Sequence, residues 1–268
     1  MMDAAFAQAL ENAIRPVGRY IANERKGFSS SAVETKSLNA LVSYVDQEAE
    51  KQLVEALHEL LPEAGFLAEE GSGAPSPDGS WDWVVDPLDG TTNFAAGIPY
   101  WAISLARFEN GVPVLAVLDV PPLRQRIVAI RGGGAWRKHN KLQPPTARNQ
   151  VAGCASLCSR SIGVLQKLPH QRFPGKIRLL GVASLNLVSV GMGQTISALE
   201  ATPKIWDLAA AWLVLQELHC PMRWLKRDPA QLQAGEDLSQ ANFPVLAARD
   251  AETLATFKPW ADALVSST

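Results

Sequence analysis

The sequence predicts a mixed α/β fold of the α+β type, with an antiparallel meander in its first half. Two amphipathic helical patterns open the chain, at residues 3–25 and 46–60. Three apolar strand patterns then follow one another with only short turns between them, which is typical of antiparallel neighbours. After about residue 153, strand and helix patterns alternate. A chain with both kinds of order is expected to fold as packed layers of helices and sheets.

The elements of the first half are predicted from the spacing of apolar residues. Between Phe6 and Ile21 these residues recur every three or four positions, which is the period of a helix with one buried face. Residues 71–80 are rich in Gly, Pro and Ser and predict a solvated loop. Trp81–Val85 predicts a buried strand that leads directly into Asp86. The predicted elements are helix 3–25, loop 26–37, helix 46–60, strand 64–68, loop 71–80 and strands 81–85, 101–108, 112–118 and 125–131.

A seam between two halves is predicted at Pro144–Gly153. We therefore expect a single domain over residues 1–268, with subdomains of about 1–147 and 148–268. The second half follows the alternating order of strands and helices. Its predicted elements are strand 155–159, helix 162–168, strand 176–180, helix 182–192, strand 195–200, helix 206–218, strands 222–226 and 244–248, and helix 249–264.

The composition is that of an ordinary globular protein, with 47% hydrophobic and 19% charged residues. The formal net charge is −2 and no basic stripe is present, so we expect no nucleic acid polymer as a partner. No apolar run reaches the roughly 18 residues of a membrane span, so we expect no membrane association. The three cysteines lack the spacing of a disulfide framework or a metal site. They predict free thiols and a reducing compartment, the cytoplasm.

Acidic residues gather at three places where a strand or loop meets a helix. These are Glu69-Glu70, the pair Asp86 and Asp89, and Asp207. Each has an ordinary alternative, as a solvated turn, a turn initiator or a first-turn acid favoured by the helix dipole. Oxygen ligands without His or Cys are typical of Mg²⁺ and Mn²⁺ sites. Two such ions can activate a water and stabilise a leaving oxygen in phosphate chemistry, so together the three places predict a site for divalent cations suited to that chemistry.

The spacing of Asp86 and Asp89 distinguishes two kinds of phosphate chemistry. Phosphatases that form an aspartyl-phosphate carry two acids separated by one residue, whereas here two residues, including Pro87, lie between them. We therefore expect no covalent phospho-aspartate. A proline with fixed φ and a following glycine predict a tight turn that directs both carboxylates and the Leu88 carbonyl to one place. If Gly90–Thr92 opens a short helix, its free N–H groups would hold a phosphate.

Two stretches of the chain resemble the two signatures of the inositol monophosphatase family, which belongs to the lithium-sensitive, metal-dependent sugar phosphatases. They are Trp83–Phe94 and Trp206–Ala211. Weaker similarities lie at Phe66–Glu70 and Leu41–Asp46, and the order and spacing agree from about residue 30 to residue 215. The resemblance implies a layered αβαβα sandwich, usually dimeric. It also implies two or three Mg²⁺ per subunit, with Mn²⁺ as a possible substitute.

The resemblance further implies roles for particular residues in a direct attack by a metal-activated water on a small sugar or inositol phosphate. Thr91 would orient that water, with Asp46 bonded behind it. Glu69 or the Thr91–Asp46 pair would accept the proton. The implied metal ligands are Glu69, Asp86, the Leu88 carbonyl, Asp89 and Asp207. The implied substrate contacts are Gly90, Thr91, Ala183 and Glu200.

Several positions depart from the family pattern, although none of them is an implied metal ligand. Val182, for example, stands where a hydroxyl is usual near the sugar site, and Ile196 stands where an Asp is usual. These departures leave the substrate open, with a 3′(2′),5′-bisphosphate nucleotide or histidinol phosphate as alternatives. The run Asp89–Phe94 favours the sugar or inositol branch over the nucleotide branch. A metal-binding regulatory protein without turnover is the alternative of a different class.

Overall fold

The computed structural model describes residues 4–28, 33–37, 40–77, 80–146, 153–233, 236, 238 and 240–266. Within these ranges the chain forms seven α-helices and fourteen β-strands, numbered in chain order. The helices are α1 (Ala4–Gly27), α2 (Tyr44–Leu60), α3 (Thr91–Ala96), α4 (Val164–Lys167), α5 (Ala183–Gly191), α6 (Ile205–Glu217) and α7 (Ala251–Val265). The strands are β1 (Val33–Ser37), β2 (Ala40–Ser43), β3 (Phe66–Ala68), β4 (Trp83–Asp89), β5 (Ala102–Glu109), β6 (Val112–Val120), β7 (Gln125–Ile130), β8 (Gly134–Arg137), β9 (Asn140–Lys141), β10 (Cys154–Leu157), β11 (Lys176–Arg178), β12 (Ser197–Glu200), β13 (Met222–Trp224) and β14 (Val245–Ala248).

The helices and two large sheets stack as five layers. α1 and α2 cover one face of a sheet with strand order β3-β4-β5-β6-β7-β8-β9. α5 and α6 lie between that sheet and a second one of order β11-β10-β12-β14-β13, and α7 covers the far face of the second sheet. Because α6 meets a sheet on both sides, nearly its whole surface is apolar and buried. The predicted αβαβα sandwich is therefore confirmed.

The first two helices are held by apolar faces that the sequence spacing predicted. Leu10, Ile14 and Ile21 of α1 pack with Leu53 and Leu57 of α2 in one buried cluster against β4, β5 and β6. Strands β5 to β8 form the predicted antiparallel meander. Within the described part of the chain, no helix is both long and apolar enough to cross a bilayer.

One predicted loop is partly wrong. Residues 33–37, which we expected in the loop 26–37, form strand β1 and pair antiparallel with β2. The small polar residues show no strand pattern of their own. They form a strand because they pair with β2, and β-propensity depends strongly on such context. Residues 29–32 of that loop lie outside the described residues, as do residues 147–152 of the predicted seam. The division into two subdomains stays a prediction.

Candidate metal centre

Two parallel neighbours in the first sheet carry the first acids of the site. Strands β3 and β4 run in the same direction, with Ala68 opposite Val85. The backbone N–H of Glu69 donates to the Val85 carbonyl (3.1 Å). Because β3 ends at Ala68 and runs parallel to β4, Glu69 emerges beside Asp86 near the carboxyl end of β4, which is where α/β proteins bind ligands.

The predicted turn between Asp86 and Asp89 is wrong, because β4 continues through both residues as a strand with a bulge. Asp86 pairs with Ser104 and Asp89 with Ala102, so two residues of β4 lie opposite one residue of β5. Pro87 suits this position because it has no N–H to donate to the ladder. In a regular strand, residues three apart face opposite sides of the sheet. The extra residue brings both carboxylates to the same side.

Asp207 completes the group from the opposite layer, in the first turn of α6. Asp86, Asp89 and Asp207 each offer one carboxylate oxygen, and these oxygens all lie within 4.8 Å of one another. A backbone N–H group holds one oxygen of each acid, so the fold sets the orientation of all three. The bonds run from Leu88 N to Asp86 Oδ1 (2.9 Å), from Ser184 N to Asp89 Oδ2 (2.7 Å) and from Lys204 N to Asp207 Oδ2 (2.8 Å).

Burial raises the pKa of all three carboxyls above its usual range, and the charges of neighbouring acids add to the effect at Asp86 and Asp207. For Asp86, the charges of Glu69, Asp89 and Asp207 follow burial as causes. Burial and then the charge of Asp89 raise the pKa of Asp207 to about 7. Buried acids held close together with raised pKa values are typical of a functional site. A donor set made of carboxylate oxygens fits a hard divalent cation such as Mg²⁺ or Mn²⁺.

Glu69 lies at the margin of this group. The described residues with mutually close oxygens are the three aspartates, and Glu69 is not one of them. Its side chain is partly buried and close enough for its charge to raise the pKa of Asp86. Glu69 is thus placed beside the cluster, and its role as a ligand stays a prediction.

A chain of hydrogen bonds fixes the hydroxyl of Thr91. Thr91 Oγ1 donates to Asp46 Oδ1 (2.7 Å) and lies 3.2 Å from the Leu88 carbonyl oxygen. Asp46 Oδ2 accepts from both the backbone N–H (2.8 Å) and the hydroxyl (2.6 Å) of Ser43, which caps α2. Burial raises the pKa of Asp46, while the bonds from Ser43 and Thr91 oppose that rise. The predicted hydrogen bond between Thr91 and Asp46 is therefore present. The role of this pair in orienting a water stays a prediction.

Glu200 and Ala183 lie on the second-sheet side of the site. Glu200 ends β12, is 3% exposed, and its Oε1 accepts from Asn186 Nδ2 (2.8 Å). Burial, and then the neighbouring charge of Asp89, raise the pKa of Glu200 to about 8. Ala183 begins α5, directly before the N–H group that holds Asp89. Both residues therefore adjoin the acidic cluster from across the layer boundary.

Three residues that contact the site were not singled out by sequence. Ser184 binds Asp89, Asn186 binds Glu200, and Glu50 binds the segment after Glu69. The position of Glu50, four residues after Asp46 in a predicted helix, is a signal that could have found it. The contacts of Ser184 and Asn186 depend on packing between layers and carry no local signal.

Gly90, the N-cap residue of α3, has a positive φ of 100°, and a Cβ there would come within 2.8 Å of Val182 Cγ2. We expect Gly90→Ala to lower the free energy of unfolding by about 1–3 kcal/mol, since strain and overlap add. Gly132→Ala is the matched control, because Gly132 also has a positive φ but open space around its Cβ position. Chemical denaturation measures both. Equal losses for the two variants would contradict the role of the close contact with Val182.

The fold and the acidic cluster together define a class of phosphatase, and comparison with known proteins specifies it. The chain belongs to the inositol monophosphatase family, whose model matches residues 2–254. It is 33% identical over 224 residues to the inositol-1-monophosphatase of Rhizobium meliloti, covering 81% of this chain and 84% of that protein.

Two further similarities bear on function. A putative Nus factor SuhB of Neisseria meningitidis serogroup B is 30% identical over 252 residues, covering 90% of this chain and 95% of that protein. The solved structure of an IMPase/NADP phosphatase complexed with Mg²⁺ and phosphate superposes with a TM-score of 0.72 at 26% identity, covering 95% of this chain and 92% of the other. The chain is thus similar both to a protein named as a phosphatase and to one named as a putative Nus factor.

Proposed function

We propose that this protein is a metal-dependent phosphomonoesterase that hydrolyses a small sugar or inositol phosphate by direct attack of water. The observation that carries the proposal is the convergence of Asp86, Asp89 and Asp207 within 4.8 Å at a sheet edge. Because Asp86 and Asp89 point to one place and are held there by backbone N–H groups, they suit the binding of a cation better than nucleophilic attack.

The residues proposed to hold two or three Mg²⁺, or Mn²⁺ in its place, share oxygen donors at this edge. They are Glu69, Asp86, the Leu88 carbonyl, Asp89 and Asp207. When bound, such cations lower the pKa of a water and neutralise charge on the phosphate and the leaving oxygen. The similarity to a family member complexed with Mg²⁺ and phosphate supports the choice of cation.

Thr91 and Asp46 are proposed to orient the attacking water. Because the Thr91 hydroxyl donates its hydrogen to Asp46, its oxygen is left to accept a hydrogen bond from the water. The raised pKa of the buried Asp46 makes this carboxylate a better acceptor of the proton, with Glu69 as the other acceptor. The backbone N–H groups of Gly90 and Thr91 would hold the phosphate. Glu200 and Ala183 would contact the remainder of the substrate.

Thr91→Val is expected to lower kcat about 10- to 100-fold, which is the usual effect of losing a partner that orients a reacting group. The valine keeps the shape of the side chain and removes the hydrogen bond to Asp46. Thr256→Val, an exposed position on α7, is the control and should leave kcat unchanged. Release of inorganic phosphate measures both variants. An unchanged kcat in Thr91→Val would argue against the proposed orientation of water.

Phosphate release from a panel of esters tests the proposal and identifies the substrate class. The panel contains inositol 1-phosphate, fructose 1,6-bisphosphate, histidinol phosphate and adenosine 3′,5′-bisphosphate, each with and without Mg²⁺. We expect the highest kcat/KM for a sugar or inositol ester. Absence of turnover on every ester, with metal bound, would contradict the proposal. It would favour a regulatory role, for which the similarity to a putative Nus factor is the supporting observation.

We further propose a homodimer located in the cytoplasm and inhibited by lithium. The family membership supports the dimer and the sensitivity to lithium. The three cysteines are free, two partly buried and one buried, which is compatible with a reducing compartment. Light scattering coupled to gel filtration measures the oligomeric state, and phosphate release in LiCl against KCl measures the inhibition.

A further inference from the structure

Helix α2 carries two buried carboxylates one turn apart. Asp46 and Glu50 are 1% and 0% exposed, and their spacing of four residues places them on the same face of the helix. Like charges at this spacing repel each other, so each buried carboxylate needs partners that offset the repulsion. Asp46 has Ser43 and Thr91 as partners, so the question is what Glu50 binds.

Glu50 binds the chain that follows β3. Its Oε2 accepts from the backbone N–H of Glu70 (2.7 Å), and its Oε1 accepts from that of Ser72 (2.8 Å). Both distances are those of hydrogen bonds strengthened by the charge of the acceptor. Gly71, between the two donors, has a positive φ of 81°. A turn of this kind directs neighbouring N–H groups to one anion, and the anion here is the carboxylate of Glu50.

The segment 69–72 is consequently fixed from two sides. The N–H of Glu69 donates to the Val85 carbonyl of β4, one residue before Asp86. The next residue, Glu70, is held by Glu50 of α2. Glu69 therefore lies between an anchor on the strand of the acidic cluster and an anchor on the helix that orients Thr91. One face of α2 therefore holds two parts of the site, the Thr91 hydroxyl through Asp46 and the segment 69–72 through Glu50.

We propose that Glu50 is a positioning residue that places Glu69 against the acidic cluster and thereby sets the affinity of the site for its divalent cation. Loss of the carboxylate would leave two N–H groups without this acceptor and release the segment that carries Glu69. The inference rests on the proposed function of Glu69 as a ligand. It assigns to α2 a second task besides the orientation of Thr91 by Asp46.

Glu50→Gln is expected to raise the dissociation constant for Mg²⁺ about 10- to 100-fold, as measured by titration calorimetry on the full chain. A glutamine oxygen accepts from one N–H, but its NH₂ group cannot accept from the other. The matched control is Glu55→Gln, an exposed glutamate on the same helix, which should bind Mg²⁺ like the unaltered protein. At saturating Mg²⁺, Glu50→Gln should regain most of its kcat, whereas simple unfolding would lower kcat at every concentration.

Amide hydrogen exchange provides a readout that needs no metal. In Glu50→Gln without metal, exchange should speed up at Glu70 and Ser72 and remain unchanged in β5 and β6. In Glu55→Gln it should remain unchanged at all these positions. Faster exchange throughout the chain would show that Glu50 serves general stability and would overturn the proposal.

The two readouts separate this inference from the proposed function. Unchanged Mg²⁺ affinity in Glu50→Gln, in a protein that loses affinity in Asp86→Asn, would overturn the positioning role alone. If neither the unaltered protein nor Asp86→Asn binds Mg²⁺, the proposed function fails. In that case, faster exchange confined to Glu70 and Ser72 in Glu50→Gln would still show that Glu50 holds the segment 69–72 in place.

Discussion

Asp86→Asn is expected to lower kcat for ester hydrolysis by at least about a hundredfold while making the metal-free protein more stable. The loss of rate follows because Asp86 lies at the centre of the proposed cation site, and removal of one preorganised electrostatic group costs about this much. The gain in stability follows because burial, and then the charges of Glu69, Asp89 and Asp207, act against the ionised carboxylate. An asparagine oxygen can still accept from Leu88 N, so the bulge keeps its hydrogen bond.

Phosphate release at saturating Mg²⁺ and thermal melting in a chelator measure the two effects. Asp262→Asn is a suitable control, since Asp262 pairs with Lys258 and Arg223 on the partly exposed side of α7, away from the cluster. It should leave kcat unchanged and should not raise the melting temperature. Near-normal turnover by Asp86→Asn would remove the basis for the proposed site. A lower melting temperature for this variant without metal would contradict the account in which burial and neighbouring charges act against the ionised Asp86.

Removal of divalent metal is expected to abolish turnover and to make stability depend on pH, because the buried acids are then ionised without a cation to offset their burial and repulsion. The pKa of Asp207 is raised to about 7 and that of Glu200 to about 8. In the unfolded chain both groups titrate near 4. Between these values the folded protein binds protons that the unfolded chain does not. The free energy of unfolding should therefore fall as the pH rises from about 4 to about 8, and then become level with respect to these groups.

Added Mg²⁺ should reverse this loss, and more strongly at pH 8 than at pH 5.5. At the lower pH the carboxyls carry protons that a cation must displace, which weakens binding. Denaturation across this pH range, in chelator and in excess Mg²⁺, measures both curves. The Asp86→Asn variant should show a flatter curve in chelator, because it lacks one buried carboxyl whose own pKa is raised by folding. Stability in chelator that rises from pH 5 to pH 8 would contradict the prediction.

Helix and strand periodicity was sufficient to predict most of the elements, because the apolar residues of a buried face recur at regular spacing along the chain. Helix α1 is a clear case, since its buried residues recur at helical spacing. Strand β1 was missed because a short polar strand is ordered by its partner and has no apolar pattern of its own. Helix α4 is shorter than the predicted 162–168, and strand β9 was not predicted.

The acidic residues that meet in the site could be named from the sequence, because their residue types and spacing carry the chemistry and the family resemblance. Sequence could not tell how Asp86 and Asp89 come to face the same side. We expected a turn, whereas a bulge in a continuous strand does it, and a bulge is defined by the neighbouring strand. The contact of Ser184 with Asp89 was equally hidden, whereas the helical spacing of Glu50 from Asp46 was a signal that we did not use.

The sequence by itself therefore determined the family, the reaction class that family membership favours, and the identity of the acids. These properties depend on residue type and local order along the chain. Only the tertiary structure decided which of the acids lie within reach of one another and which groups hold them in place. The physical reason is that Asp89 and Asp207 lie far apart in the chain, on a strand and on a helix of adjacent layers. Their distance is set by how a sheet and α6 pack, and packing is a property of the whole fold.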